Sequence, residues 1–233
     1  MKWLTLPRKP EPEAMGDADE VEAYASAAAQ AFLDAIDDTL VEQVLSLGPP
    51  QGWLLDVGTG PGGIPLKIAR RCPQLQVVGV DYSENMVRTA RQVAHAQGLA
   101  GQVCFFVGDA NRLCFPDACF EFVLSNSVLH HLSNPVTLLK EMARVAKPEG
   151  VILLRDLRRP SRLAFPLHVR WHGRYYSGLM YKLFRDSMQA AYSGKELAEL
   201  LRQAALPEAR IFYHERTHLG FILDGRHRQA LRN

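Results

Sequence analysis

The sequence predicts an α/β fold, a mostly parallel sheet with helices on both faces. Two observations carry that prediction. Short, almost wholly apolar segments alternate with longer amphipathic ones between residues 53 and 154, and strands apolar along their whole length belong to parallel sheets covered on both sides. The first of these segments also runs straight into a glycine-rich turn that opens a helix, Asp56-Val-Gly58-Thr59-Gly60-Pro-Gly62-Gly63, as in doubly wound folds.

The elements follow in order. Residues 1–16 are rich in proline and charge and read as an extended arm. Asp17 with Glu20 three residues on makes a helix start, after which Ala28, Phe32, Ile36, Leu40 and Val44 recur every fourth residue in an amphipathic helix reaching about Leu47. Gly48-Pro49-Pro50 stops it. Residues 53–57 form the first strand, and a helix follows from about Gly62 to Arg71. Residues 75–80 form the second strand; the next helix is capped by Ser83 and ends at Gly98. The third and fourth strands are residues 103–107 and 120–124. Asn134-Pro135 opens another helix, with proline at its tolerated first position, and residues 150–154 form the fifth strand. From Arg155 to Ser187 the pattern turns irregular, basic and aromatic. Regularity returns at the capping box Ser193-Gly-Lys-Glu196 before Leu197, Leu200 and Leu201, and residues 210–214 and 219–223 are two short closing strands.

Composition bounds the function. With 47% hydrophobic and 22% charged residues, the chain can offset the cost of ordering itself, which excludes disorder, collagen-like structure and a disulfide scaffold. Cys72, Cys104, Cys114 and Cys119 form no C-x-x-C pair and no zinc-type spacing, as expected of free thiols in the cytoplasm. The apolar stretch at Trp3–Leu6 is too short for a signal peptide. The longest uncharged run, residues 122–139, contains Asn126, His130, His131, Asn134 and Pro135, so no membrane span is expected. A net charge of +2 gives no reason to expect nucleic acid as a partner, but it conceals a cancellation. Residues 11–42 hold ten acidic groups and no basic one, whereas residues 155–174 sum to +5. No pattern fixes an oligomeric state.

The glycine turn lets the backbone approach a ligand closely, and Asp81, ending the second strand, suits the ribose hydroxyls of an adenosine-containing cofactor. These features alone fit a nicotinamide-dependent oxidoreductase equally well, because Gly58, Gly60 and Gly63 also satisfy G-x-G-x-x-G. Three others tip the choice: Asp56 inside the first strand, Gly108-Asp109-Ala110 at the end of the third, and Ser125-Asn126-Ser127 followed by His130-His131 after the fourth. All these strand ends converge on one crevice.

Here the sequence resembles the class I S-adenosylmethionine-dependent methyltransferases. The segments that carry the likeness are Leu54–Gly63, Val77–Met86, Val107–Ala110 and Val145–Gly150, ordered within residues 50–157. The resemblance implies a doubly wound, mostly parallel seven-stranded sheet with a C-terminal antiparallel edge hairpin. It implies a single domain: arm and lid helix over 1–48, cofactor-binding core over 50–157, an acceptor-covering insert over 158–190, and a C-terminal helix with edge strands over 193–233. It further implies that Asp56, Gly58, Thr59, Gly60 and Gly62 line the methionine part of S-adenosylmethionine. Asp81 would hold the ribose, with Tyr82, Met86, Gly108, Asp109 and Ala110 about the adenine and Ser125 and Asn126 facing the methionine amine and sulfonium. Glu149 departs from the family pattern, where glycine is commoner.

The acceptor is read from absences and from the insert. The fourth strand does not end in Asn/Asp-Pro-Pro-aromatic or Pro-Cys, and Ser125-Asn126 with Asp156-Leu157 does not recreate the acidic set of magnesium-dependent catechol methyltransferases. A metal-independent enzyme with a small-molecule acceptor is expected. His130 is the candidate general base and Asn126 its companion at the reacting centre. Tyr24 is a candidate lid residue. Arg158, Arg159, Tyr175 and Tyr176 in the insert suit an anionic acceptor. The alternatives are the oxidoreductase and an RNA or protein methyltransferase, or a binding module, that uses the arginine-rich insert.

Overall fold

The computed structural model describes residues 5–11, 27–47 and 51–226, with side chains in the first helix described from residue 34 onward. Tyr24 and the Asp17–Glu20 helix start lie outside the described residues. In chain order the elements are α1 (Ala27–Ser46), β1 (Gly52–Val57), α2 (Gly63–Arg71), β2 (Leu75–Asp81), α3 (Glu84–Ala96), β3 (Val103–Val107) and β4 (Phe120–Asn126). A 3-10 turn (Leu129–His131) then leads to α4 (Pro135–Val145) and β5 (Ala146–Leu157). After it come α5 (Phe165–His172), a 3-10 turn (Gly173–Tyr175), α6 (Gly178–Ala190), α7 (Gly194–Gln203), β6 (Arg210–His214) and β7 (His218–Asp224). No helix among the described residues is long and apolar enough to cross a membrane.

One seven-stranded sheet has the order β3-β2-β1-β4-β5-β7-β6. β1 to β5 are parallel, and β7 pairs antiparallel with both β5 and β6. Because the side-chain period of a strand is two, neighbouring residues feed opposite cores. Leu55, Val57, Val123, Ile152 and Leu154 pack with α4 and α7 through Leu138, Leu139, Met142, Leu197 and Leu201. Leu54, Phe122, Leu124, Val151 and Leu153 pack on the other face with α1, α2 and α3, through Leu40, Val44, Ile68, Val87 and Ala90. The order reverses between β1 and β4, so their carboxyl ends open the crevice where such sheets bind ligands.

Three expectations need correction. The fourth strand runs on to Asn126, and the fifth spans Ala146–Leu157 rather than residues 150–154. A register shift between Phe120 and Phe122 absorbs the extra residues Lys147–Gly150, which turn residues hid in the sequence. The insert is not irregular: it holds α5, whose buried residue is Val169, and α6, which buries Met180, Ser187, Met188 and Ala190. The capping box at Ser193 and Glu196 and the Ser83 cap are present as read.

Candidate functional site

The glycine loop is folded by its own backbone. The Gly58 and Thr59 amides donate to the Val80 carbonyl at 2.7 and 3.0 Å, which ties the loop to the end of β2. Gly58 has φ +76°, and a Cβ there would stand 2.1 Å from Val128 Cγ2. That position is glycine for packing as much as for conformation. Gly60 differs: with φ +54°, an added Cβ would meet nothing within 4 Å, so the loop lies under open space.

Below this space the charges are unusual. Asp56 is 1% exposed, and neither carboxylate oxygen accepts a hydrogen bond among the described residues; the buried Thr59 hydroxyl is likewise unsatisfied there. Burial pushes Asp56 up to about 7, with Asp37 and Asp81 adding to the shift and the nearby Thr59 hydroxyl opposing it. Asp37 of α1 reaches the start of α2 and is itself pushed up to about 6, chiefly by burial, against the pull of Arg155. Burial also raises Asp81, whose Oδ2 accepts from the Gly60 amide at 2.8 Å and whose Oδ1 accepts from the Ser83 amide at 2.9 Å. A helix N-terminus alone would welcome a diphosphate. Three carboxylates crowded around it reject one and attract a cation instead. A buried polar pair without partners is a strong sign of a missing ligand group.

The other strand ends border the same crevice. Asp109 follows β3 and accepts from the Asn111 amide at 2.8 Å, with the Gly108 amide bound to the Asp81 carbonyl at 2.9 Å and Ala110 partly buried. Met86 is buried in α3, whereas the Tyr82 ring is 70% exposed at the rim. Ser125 is spent on the sheet, its hydroxyl donating to the Val57 carbonyl at 2.9 Å. Asn126 Oδ1 accepts from Arg155 Nε at 2.9 Å. Arg155 also donates to the Thr39 hydroxyl at 2.8 Å and to the Ile36 carbonyl, thereby anchoring α1 to the sheet. Arg155, read from the sequence as part of a basic insert, is a buried strut at the end of β5.

His130 is 2% exposed and is gripped by Asp156. Its backbone amide donates to Asp156 Oδ2 at 3.1 Å, and Nδ1 pairs with Asp156 Oδ1 at 2.5 Å. A proton on Nδ1 leaves Nε2 as the basic nitrogen, 3.9 Å from Glu11 Oε2. Burial works against a charged His130, but the Asp156 carboxylate outweighs it and raises the histidine above its ordinary range, while Asp156 is lowered. His131, 3.5 Å from Glu11 through Nδ1, is driven down to about 3 by burial and by His130, and so stays neutral. The ligand atoms of Glu11, His130 and His131 lie within 4.8 Å of one another, a spacing a cation could bridge. Arg8 stands at the same place, donating to the His130 carbonyl at 2.9 Å, and opposes one. Asp156 was not singled out as a site residue, although the rule that found Asp56, Asp81 and Asp109, an acid at a strand's carboxyl end, applies to it.

The insert residues divide. Arg159 is buried: its guanidinium donates to Glu196 Oε1 and Oε2 at 2.5 and 2.7 Å and to the Ala191 carbonyl at 2.5 Å. This corrects its reading as an acceptor-binding residue. Arg158 lies over the Tyr213 ring at 5.0 Å, toward the edge strand. Tyr176 packs on Phe184 with ring centres 5.2 Å apart, and Tyr175 is exposed beside Arg174. Arg159→Met leaves Glu196 without its counter-charge and the Ala191 carbonyl without its donor. We expect it to cost about 2 kcal/mol, read as a lower urea midpoint at unchanged m-value.

Comparison with known proteins bears on the same region. A family described as "Methyltransferase domain" matches residues 55–154. The "Ubiquinone/menaquinone biosynthesis C-methyltransferase UbiE" of Desulfotalea psychrophila is 31% identical over 184 residues, covering 75% of this chain and 72% of that one. The "Demethylmenaquinone methyltransferase" of Geobacillus kaustophilus is 31% identical over 182 residues, covering 72% of this chain and 77% of that one. In fold, the chain matches a SAM dependent methyltransferase from Aquifex aeolicus with a TM-score of 0.63 at 23% identity, over 88% of this chain and 97% of that one.

Proposed function

The chain belongs to the class I S-adenosylmethionine-dependent methyltransferases, and from that premise we propose that it methylates a small molecule whose nucleophile is released by the His130–Asp156 pair, without a metal. The observation that carries the reading is that pair itself, a buried histidine with Nδ1 held by a carboxylate and Nε2 left as its basic nitrogen, 3.9 Å from Glu11. When bound, the cofactor supplies an electrophilic methyl group on a sulfonium. The residues around it supply alignment and charge. Asp56 and Thr59 would take the cationic methionine end, because their buried oxygens have no other partner among the described residues. Asp81 would accept from the ribose through its remaining lone pairs, and Asp109 from the adenine amino group. Asn126, fixed by Arg155, would present its backbone to the sulfonium side. His130 Nε2 would take the acceptor's proton, with Glu11 next in line at 3.9 Å. The names of the two relatives above place them in methylation for quinone biosynthesis, and a base-assisted attack fits an acceptor of that class.

The test is incorporation of labelled methyl from S-adenosylmethionine into a fractionated extract, with and without a chelator. Label is expected in the small-molecule fraction and undiminished by chelation. Label confined to RNA or protein, or activity lost with the chelator and restored by a divalent cation, would overturn the proposal.

A further inference from the structure

We infer that the outer face of α5, with the turn behind it, is a docking surface for the headgroup layer of an anionic lipid bilayer. Leu163, Leu167 and Trp171 are spaced by four residues and are 70%, 70% and 61% exposed. Leu167 and Trp171, both in α5, lie about 40° apart around the helix and so share one face, and Leu163 stands in the turn that leads into it. Val169, buried on the far side, faces the protein. An apolar stripe turned outward at this density marks a contact surface.

The charge around the stripe identifies the occupant. Residues 157–185 contain no acidic residue. Arg162, Arg170, Arg174, Lys182 and Arg185 are exposed and form no ion pair among the described residues. On the helical wheel Arg170 lies beside the stripe itself. The Arg174 guanidinium sits 4.4 Å from the centres of both the Trp171 and Tyr175 rings and donates to the Trp171 carbonyl at 2.8 Å. An indole and a phenol braced by a guanidinium, next to two leucines, match the boundary between lipid headgroups and acyl chains, where aromatic rings have both an apolar and a wet side. The arginines match anionic headgroups. The acidic stretch of residues 11–42 complements the arginines but offers the leucines no counterpart at its acidic positions. The stripe stands on a convex helix rather than in a groove, which suits a soft layer better than a rigid partner. α6, in the same insert, packs on the 3-10 turn that carries His130, so docking through α5 would bring the crevice side of the molecule toward the bilayer.

The experiment is co-sedimentation of the full chain with phosphatidylcholine vesicles, with and without about one-third phosphatidylglycerol, over a range of salt. Partition is expected into the anionic vesicles only and to weaken with salt. Leu167→Glu and Trp171→Glu should each reduce it about tenfold, and Arg170→Ala about fivefold, with S-adenosylmethionine affinity unchanged as the folding control. No partition of the wild-type chain, or equal partition of the variants, would overturn the proposal. So would sedimentation velocity showing a dimer that Trp171→Glu dissociates, because the face would then belong to a second copy. RNA binding lost in Arg170→Ala but kept in Leu167→Glu, without vesicle binding, would assign the surface to nucleic acid instead.

Discussion

Replacing Asp56 with asparagine is expected to weaken S-adenosylmethionine binding about a hundredfold and, at about pH 8, to make the cofactor-free protein more stable than the wild type. Both effects come from one buried carboxylate. In the folded chain Asp56 titrates at about 7, against 3.8 for an unburied aspartate. Between those values the unfolded chain has already lost the proton while the folded site still holds it. Stability therefore falls as pH rises through that window and stays low above it. Asparagine has no proton to lose. The two proteins should match near pH 4 and separate at about pH 8 by on the order of 2–4 kcal/mol, read from urea midpoints at the two pH values. Binding reverses the balance, since a cation above Asp56 favours the ionised form. Wild-type affinity should then rise with pH across the same window, with proton release visible by calorimetry in buffers of different ionisation heat. The variant's affinity should be flat. A variant that binds normally, or that is less stable at about pH 8, would show that Asp56 is not the cationic subsite.

The contrast between Asp56 and Asp156 shows what the sequence could and could not reveal. Asp56 and Asp109 were legible because each sits beside a glycine at a strand's end, and Asp81 because it closes the second strand just before the Ser83 helix cap; local chain geometry determines these features. The alternation of apolar segments likewise placed the central strands β1, β2 and β4, because burial on two faces leaves little room for polar residues. Asp156 and Arg155 were obscured by the arginines that follow them, and β5 looked shorter than it is because Lys147–Gly150 reads as a turn. Their roles depend on contacts with residues 26 and 116 or more positions away, His130 and Thr39. No local pattern encodes such distances. Arg159 failed in the opposite direction: its charge suggested a ligand, while Glu196, the residue that neutralises it, was already accounted for as half of a capping box.

Asp156→Asn is expected to lower turnover by about a hundredfold to a thousandfold while leaving S-adenosylmethionine affinity unchanged, because the carboxylate touches His130 and not the glycine loop. Loss of a buried partner could depress activity merely by loosening the turn, so the pH profile has to decide. The groups facing His130 are Asp156, Glu11, Arg8 and two histidines kept neutral mainly by burial, His131 and His218. Of these, Asp156 is the strongest influence holding the imidazolium, against a burial that would otherwise lower it. As a base, His130 works only after Nε2 has lost its proton, so wild-type turnover should rise with pH through a value above that of an ordinary histidine. Asparagine in place of Asp156 removes the charge that held the proton, and the acidic limb should move to lower pH. His130→Gln should abolish the limb altogether. A structural defect alone would scale the whole profile down without moving it. If the limb stays where it is in Asp156→Asn, the proton is taken by another group and the assignment of His130 fails.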